Sequence, residues 1–296
     1  MPPAPATERL RRRKRSSLVA LAAMLLFAML DFSACLYVTY ETGPEPEVPI
    51  PGWDAGKYQV QKLTAALAER DKSLDSMQTP AIMEYTALGK HLKAREDIVV
   101  RRPNNLRVEA RSPLGVALMV AAQGNELAIF EPGQNRFMRG EATAETLYRY
   151  IRIPMAPADA VGLLMGLAPR DFVPASVPES ASNDGAMTIA TYGTGPSGIR
   201  QLGFAGGQLA MVRDTSFDGR VNYDVRYRDY HDIGGVMFPY VVDADFPIAQ
   251  SHVTFRYVRP IVNGEIPTSA FVLTPAPGAT LMNLSLEAGA FLDDES

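Results

Sequence analysis

A two-residue alternation of apolar and polar side chains recurs along this chain and constrains its fold more than any other feature. In "VNYDVRYRDY", residues 221–230, valine and tyrosine alternate with asparagine, aspartate and arginine. The segments "NLRVEAR" and "HVTFRYV" repeat the same period. Because successive side chains of a β-strand point to opposite faces, the alternation predicts strands that are buried on one face only.

Further apolar segments extend this series of strands. Runs such as "VALMVAA" and "ELAIFE" are separated by turn sequences such as "QGN", "EPGQN" and "FAGGQ". Together they predict about a dozen strands in an antiparallel meander, which curls or closes when it grows this large. One amphipathic helix is expected at 54–75, and "ATAETLYRYIR" and "APADAVGLLMGLAP" predict two short apolar helices. We therefore expect an α+β, mainly β fold: a curved antiparallel sheet with helices covering its concave face.

The N-terminal segment indicates export. The cationic stretch "RLRRRKR" precedes the apolar run "SLVALAAMLLFAML", which has the length of a signal-peptide core. Cys35, the one cysteine, follows in "FSAC", which is similar to the lipobox of bacterial lipoproteins, although Phe32 replaces the usual leucine and Asp31 interrupts the apolar run. Lipidation of Cys35 is the preferred interpretation. An uncleaved transmembrane anchor from Ser17 to Tyr40 and a conventionally cleaved signal remain alternatives.

The charge distribution argues against binding of nucleic acid. Residues 1–34 hold six of the 29 basic residues and two of the 33 acidic ones, so the remainder carries a net charge of about −8. An acidic body is poorly suited to neutralising phosphates. The stretch "ETGPEPEVPIPGW" is rich in proline and predicts an extended tether.

The sequence contains no convincing catalytic or metal-binding constellation. His231, with Asp229 and Asp232 in "DYHD", is the one cluster that could do acid/base or metal chemistry, and the following "IGG" makes a polar turn the better interpretation. The glycine-rich "GTGPSG" lacks the lysine and the following helix of a phosphate-binding loop. We expect a protein that is not an enzyme and needs no cofactor.

Large apolar side chains recur on the predicted sheet and helix faces instead. An ordinary core explains any single one of them, whereas a cavity for an apolar ligand explains the set, and periodicity alone does not separate these two interpretations. The candidate cavity residues are Leu118, Val120, Leu127, Ile129, Leu147, Ile151, Leu163, Leu164, Met211, Tyr223 and Phe255.

The central segment, from "VEARSPLGVALMV" to "VGLLMGLAP", resembles LolB, the bacterial outer-membrane lipoprotein receptor. The shared order is a strand, the "PLG" turn, a strand pair, a helix and a proline-led helix that ends in "LLMGLAP". The resemblance covers about 65 residues, and the later "YRDYHDIGGVMFPYVV" fits the LolA/LolB-like pattern more loosely. It implies an unclosed barrel with helices as a lid and a cavity for the acyl chains of lipoproteins.

The resemblance also implies a role for the turn at residues 113–115. In LolB-like proteins the leucine of "PLG" lies at the tip of a loop that faces the membrane, and here this is Leu114, between Pro113 and Gly115. The implied function is an acceptor that takes lipoproteins from a soluble LolA-like periplasmic carrier and helps insert them into the outer membrane. The implied location is the periplasmic face of that membrane, with the lipid on Cys35 as the anchor.

These expectations divide the chain into four parts. Residues 1–34 form the signal peptide, 35–53 the lipid anchor and tether, 54–276 the LolA/LolB-like domain, and 277–296 an acidic tail. Compared with a compact LolB, the chain has a longer body and an inserted polar segment, "VPASVPESASNDG". The alternative function is therefore a structural or scaffolding envelope lipoprotein that keeps the fold and transfers no cargo.

Overall fold

A computed structural model describes residues 57–170, 172, 176, 178–193 and 198–284. The predicted signal peptide, Cys35 and the tether lie outside these residues. These described residues contain three α-helices: α1 Lys57–Ser73, α2 Ala144–Ile151 and α3 Pro157–Met165.

The part of the chain that the structure describes also contains fifteen β-strands. The first six are β1 Ser76–Ala87, β2 Lys90–Arg101, β3 Asn105–Ser112, β4 Gly115–Gln123, β5 Glu126–Glu131 and β6 Arg136–Glu141. The remaining nine are β7 Ser180–Asp184, β8 Met187–Gly193, β9 Ile199–Ala205, β10 Gln208–Thr215, β11 Val221–Ile233, β12 Val236–Phe246, β13 Ser251–Tyr257, β14 Ile261–Val262 and β15 Thr280–Asn283. Short 3₁₀ turns occupy Pro132–Gln134 and Thr268–Phe271.

All strands belong to one sheet. Its order is β15-β6-β5-β4-β3-β2-β1-β13-β12-β11-β10-β9-β8-β7, with β14 paired separately to β1. Every pairing is antiparallel except that of β15 with β6. The two edge strands of this path, β15 and β7, do not pair with each other in the described residues. The mainly β fold with one large, curved, unclosed sheet is confirmed.

The alternation read from the sequence sets which face of the sheet is covered. In β1, the buried residues Met77, Ala81, Met83 and Tyr85 alternate with more exposed neighbours. These side chains join one core cluster with residues of all three helices, such as Val60 of α1, Leu147 of α2 and Leu164 of α3. The helices therefore cover the concave face and contribute apolar side chains to the same core.

The sheet extends beyond the predicted domain boundary at residue 276. β15 lies within the segment 277–296 and adds a parallel edge to β6, with Leu281 opposite Phe137. Leu284 follows it and is buried in the core, where a Cβ on Gly140 would approach its side chain to 2.7 Å. The acidic residues of the predicted tail lie outside the described residues.

Candidate functional site

A cavity of about 660 Å³ lies between α3 and the strands β9 to β12. This volume falls within the range of small-molecule sites. Its apolar wall comes from both layers. The residues of that wall include Met155, Leu163, Leu167, Val212, Val225 and Phe246. Gly162, in the middle of α3, faces the same space, because a Cβ built on it would contact nothing within 4 Å.

One end of the cavity is polar. Arg200 on β9 forms an ion pair with Asp214 on β10, at 2.7 Å between Nη2 and Oδ2, and both side chains are largely buried. Asn222 donates a hydrogen bond of 2.6 Å from Nδ2 to Oδ1 of Asp214. Asp159 and Arg170 lie on the helix side of the same cavity. The cavity therefore has the chemistry of an amphipathic ligand site, with an apolar wall and a charged, hydrogen-bonding end.

Helix α3 is tied to the body by polar contacts at its C-terminal end. Arg70 of α1 donates from Nη2 to the carbonyl of Gly166, and it pairs with Asp71 at 3.1 Å. Asp71 accepts a hydrogen bond of 2.8 Å from the backbone N–H of Ala168. Burial raises the pKa of Asp71 more than the Arg70 charge lowers it. This largely buried pair fixes the position at which the helix ends.

A third polar contact joins α3 to the sheet. The Tyr257 hydroxyl on β13 donates to the Leu164 carbonyl at 2.7 Å, and burial raises the pKa of Tyr257 strongly. The last carbonyls of a helix have no partner within the helix, so such a donor satisfies one of them. Gly166 then ends the helix in the left-handed conformation, with φ +64°. A Cβ there would lie 2.8 Å from Pro239.

The structure places most of the predicted cavity residues in the packed core. Leu163 and Tyr223 line the cavity. Leu118 is half-buried against the core cluster. The residues fully incorporated in that cluster are Val120, Leu127, Ile129, Leu147, Ile151, Leu164 and Phe255. Periodicity identified the face on which these side chains lie, and the helices then fill most of that face.

Met211 lies on the other face of the sheet. A register shift between Leu209 and Met211 pairs Met211 with Gly203, whereas Leu209 pairs with Phe204 and both of these face the core. A β-bulge of this kind changes the face that the following side chains occupy. Met211 is buried against Gly203, whose Cβ would meet it at 2.9 Å. It is therefore separated from the cavity by the sheet.

The turn at residues 113–115 carries a fully exposed leucine. Ser112 pairs with Gly115 across a tight connection, and the Ser112 hydroxyl accepts a hydrogen bond of 3.2 Å from the backbone N–H of Leu114. Gly115 has φ +119°, which a residue with a side chain rarely adopts. The Leu114 side chain is 100% exposed at the tip. Its contact with a membrane remains a prediction.

The "DYHD" segment forms part of β11 and contains no assembled catalytic site. His231 contacts Asp229 at 2.8 Å, and Asp232 accepts from the backbone N–H of Gly235 in the following turn. Within the described part of the chain, no three His, Cys, Asp or Glu residues are close enough together to hold a metal ion. None of its helices is both long enough and apolar enough to span a membrane.

Comparison with known proteins gives the fold. No protein-family model and no curated protein matches the sequence. Among solved structures, the chain is similar to a LolA superfamily protein from Nitrosomonas europaea, with a TM-score of 0.50 and 13% identity over 71% of this chain and 97% of that one. The chain has a LolA/LolB-like fold.

Two further structures support this LolA/LolB-like assignment. A domain described as an outer membrane lipoprotein-sorting protein from Vibrio parahaemolyticus matches with a TM-score of 0.51 and 5% identity, over 73% of this chain and 97% of that domain. A DUF1329 family protein from Desulfovibrio piger matches with a TM-score of 0.54 and 10% identity, over 74% of this chain and 98% of that protein. At these identities the likeness concerns the fold alone, and it does not single out LolB.

Sequence reasoning missed the polar groups of this site. Arg70 and Gly166 are 96 positions apart, and Tyr257 and Leu164 are 93 apart. No local pattern relates such residues. The ion pair of Arg200 with Asp214 lies near the ends of β9 and β10, and both residues line the cavity.

Proposed function

We propose that this protein is an acceptor of lipoproteins in the bacterial envelope, which binds their acyl chains in the cavity and helps insert them into the outer membrane. The observation that carries the proposal is the cavity of about 660 Å³ between α3 and the sheet. Its lining combines apolar side chains from both layers with charged and hydrogen-bonding groups. The LolA/LolB-like fold supports the proposal, because it is shared with a lipoprotein-sorting domain.

The energetics of acyl chains explain why such a protein needs an enclosed site. Each acyl CH₂ contributes about 0.8 kcal/mol when it leaves water. A cargo with several chains therefore leaves a membrane only if an apolar cavity replaces the bilayer. The ion pair of Arg200 with Asp214 would then face the polar part of the cargo, where hydrogen-bonding groups are needed.

The anchor and the exposed leucine have separate roles in this proposal. Burying one leucine is worth about 1.5 to 3 kcal/mol, so Leu114 can perturb a bilayer locally and cannot hold the protein there. Retention at the membrane is assigned to the lipid on Cys35. The mass of the mature N-terminus tests that assignment, since diacylation or triacylation of Cys35 supports it and an unmodified or uncleaved N-terminus contradicts it.

The test of cargo binding is transfer from a loaded carrier. The full-length chain is incubated with a LolA-like carrier that holds a lipoprotein, and native mass spectrometry follows the masses of both proteins. We expect a complex of this chain with the lipoprotein and a matching loss from the carrier. Recovery of all the cargo on the carrier, under conditions where an authentic LolB accepts it, would contradict the proposal.

One observation favours the structural or scaffolding alternative. Seven of the predicted cavity residues belong to the core cluster and are not among the residues that line the cavity, Val120 and Ile129 among them. In that alternative the remaining cavity is incidental. A Leu114→Glu variant that leaves lipoprotein localisation intact in cells would favour it. Mislocalised lipoproteins, with the variant present at normal levels, would favour the acceptor.

A further inference from the structure

Four turns at one end of the sheet carry strongly exposed apolar side chains. Leu114 is 100% exposed on the turn between β3 and β4, and Leu88 is 77% exposed between β1 and β2. Phe217 is 85% exposed between β10 and β11, and Ile248 is 61% exposed between β12 and β13. In an antiparallel meander alternate turns share an end, and the strand order places all four turns together. We call these four residues the apolar rim.

The opposite end of the sheet has a different composition. Its tight turns are built from glycine with a small or polar partner. They include Gly124–Asn125, Gly185–Ala186, Gly206–Gly207 and Gly234–Gly235. No large exposed apolar side chain occurs on these turns. Of the nine such side chains in the described residues, six lie on the rim or beside it, since Leu92 and Ile199 are near the rim ends of β2 and β9.

Turn chemistry does not account for the leucine between β1 and β2. Leu88 has φ +48° and Gly89 has φ +74°, so both central residues of this hairpin are left-handed. Such turns strongly favour asparagine or aspartate before glycine, because their short polar side chains tolerate this conformation. A leucine here is unfavourable for the turn and also exposed to water. Its presence is explained if the side chain has a partner outside the protein.

The turn that carries Phe217 is held by its own hydrogen bonds. The Ser216 hydroxyl donates to Asp218 at 2.6 Å, and the backbone N–H of Arg220 donates to the same carboxylate at 3.2 Å. The backbone N–H of Gly219 also donates to the Ser216 carbonyl. The loop therefore presents the phenyl ring to the outside without any contact that would hide it.

The cavity lies close to the rim. Phe246 lines the cavity two residues before Ile248, and Arg200 lines it directly after Ile199. The direction of helix α1 follows from two polar contacts. Thr64, in the middle of α1, contacts Tyr192 near the rim end of β8. Near the C-terminal end of α1, Arg102 donates to the Asp71 carbonyl from the turn between β2 and β3. The first residue of α1, Lys57, therefore lies at the rim end of this helix.

We propose that the apolar rim docks this protein onto the surface of a lipid bilayer, with the mouth of the cavity facing the lipid. A bilayer fits better than a protein partner because the four side chains are separate points around a curved edge rather than a continuous patch. The inference deepens the proposed function, since it gives the site a route for acyl chains, and it does not depend on the identity of the cargo.

The test measures whether rim side chains enter the hydrocarbon region. The single native tryptophan, Trp53, is replaced by phenylalanine, and tryptophan is introduced one position at a time as Leu88→Trp, Leu114→Trp, Phe217→Trp and Ile248→Trp. The full-length chain is incorporated into phosphatidylethanolamine and phosphatidylglycerol vesicles with and without brominated acyl chains. The matched control is Ala186→Trp, which is exposed on a turn at the opposite end.

We expect brominated lipid to quench rim tryptophans at least about twofold more than the control. Equal quenching at both ends, in vesicles that hold the protein, would overturn the proposal. So would rim tryptophans shielded from water without lipid in a particle of doubled mass, because the rim would then join two copies of the chain. No cargo is used, so a failure of lipoprotein transfer leaves this result unchanged.

A second measurement separates the rim from the lipid anchor. In a Cys35→Ala background, which removes the predicted lipid, Phe217→Ser with Ile248→Ser should weaken vesicle binding by about tenfold or more. The control is Ile261→Ser, since Ile261 is 53% exposed away from the rim. Equal binding by the rim variant and the control would overturn the proposal.

Discussion

At the scale of single residues, Glu96 is the most unusual group in the described structure. It lies on the covered face of β2, opposite Ala81 and Ala110, and only 6% of it is exposed. Among the described residues no group donates a hydrogen bond to it or pairs with it, and burial raises its pKa to about 7. A carboxyl in this position is stabilised in its neutral form, and that has a measurable consequence for stability.

We expect stability to fall as the pH rises through neutrality. The pKa of Glu96 is about 7 in the folded protein, against the ordinary value of 4.5. The part of the free energy of unfolding that depends on Glu96 is therefore highest below pH 4.5. It falls by roughly 3 kcal/mol as the pH rises towards and past 7. Glu96→Gln should remove this loss, so urea unfolding of the variant at pH 5 and pH 8 should differ less than for the unaltered protein.

The control for this titration is a glutamate at the surface. Glu126 is exposed at the start of β5, so Glu126→Gln should leave the difference between pH 5 and pH 8 unchanged. If Glu96→Gln behaves in the same way as Glu126→Gln, the carboxyl is ionised in the folded state and the account of its burial is wrong.

Single residues also show how far sequence reasoning reaches. Leu114 could be placed on a tip because Pro113 and Gly115 confine it to a tight connection between two strands. The cavity residues could not be separated from the core, because a period of two gives the face of a strand and not what covers it. Met211 shows a further limit, since a bulge that no local pattern marks moved it to the opposite face.

At the scale of elements, helix α3 controls the cavity. Pro157 at its first turn and Gly166 after its end match the boundaries expected from "APADAVGLLMGLAP". The polar ties to Arg70, Asp71 and Tyr257 were not predictable, because each joins residues far apart in sequence. Position and length of the helix thus follow from local sequence, whereas its attachment follows from the tertiary fold.

Removing one of these polar contacts should lower the local stability of α3. In Tyr257→Phe the Leu164 carbonyl loses its donor, and leaving a buried polar group unsatisfied costs about 1 to 3 kcal/mol. Hydrogen exchange should show faster exchange in α3 than in the strands. The matched control is Tyr240→Phe, since in the described residues the Tyr240 hydroxyl makes no hydrogen bond. Equal protection of α3 in both variants would contradict a role for this contact.

Filling the cavity should block a ligand without disturbing the fold. A side chain at Gly162 enters open space, so Gly162→Leu should lower the affinity for a fluorescent fatty acid by about tenfold or more. Gly162→Ala is the matched control. It should stabilise the helix by roughly 1 kcal/mol and keep most of the affinity. A leucine variant that binds as tightly as the alanine variant would locate the ligand elsewhere.

At the scale of the whole molecule, the strand alternation and the turn spacing were sufficient to predict one curved antiparallel sheet, whereas its unclosed form was expected from the resemblance to LolB. They did not predict the parallel strand β15, because four residues after a long irregular segment carry no periodic pattern. The division of the sheet into an apolar rim and a glycine-rich end also needed the strand order. Only the topology shows that Leu88 and Phe217, 129 positions apart, belong to the same end.

The central claim is that acyl chains occupy the cavity between α3 and strands β9 to β12. The most direct measurement uses a lipoprotein whose acyl chains carry a photoreactive diazirine, delivered by a LolA-like carrier to the full-length chain, with the crosslinked residues located by tandem mass spectrometry. The account predicts crosslinks to cavity residues such as Leu163, Val212 and Val225. Crosslinks confined to the outer face of the sheet, or none after efficient delivery to an authentic LolB in parallel, would contradict it.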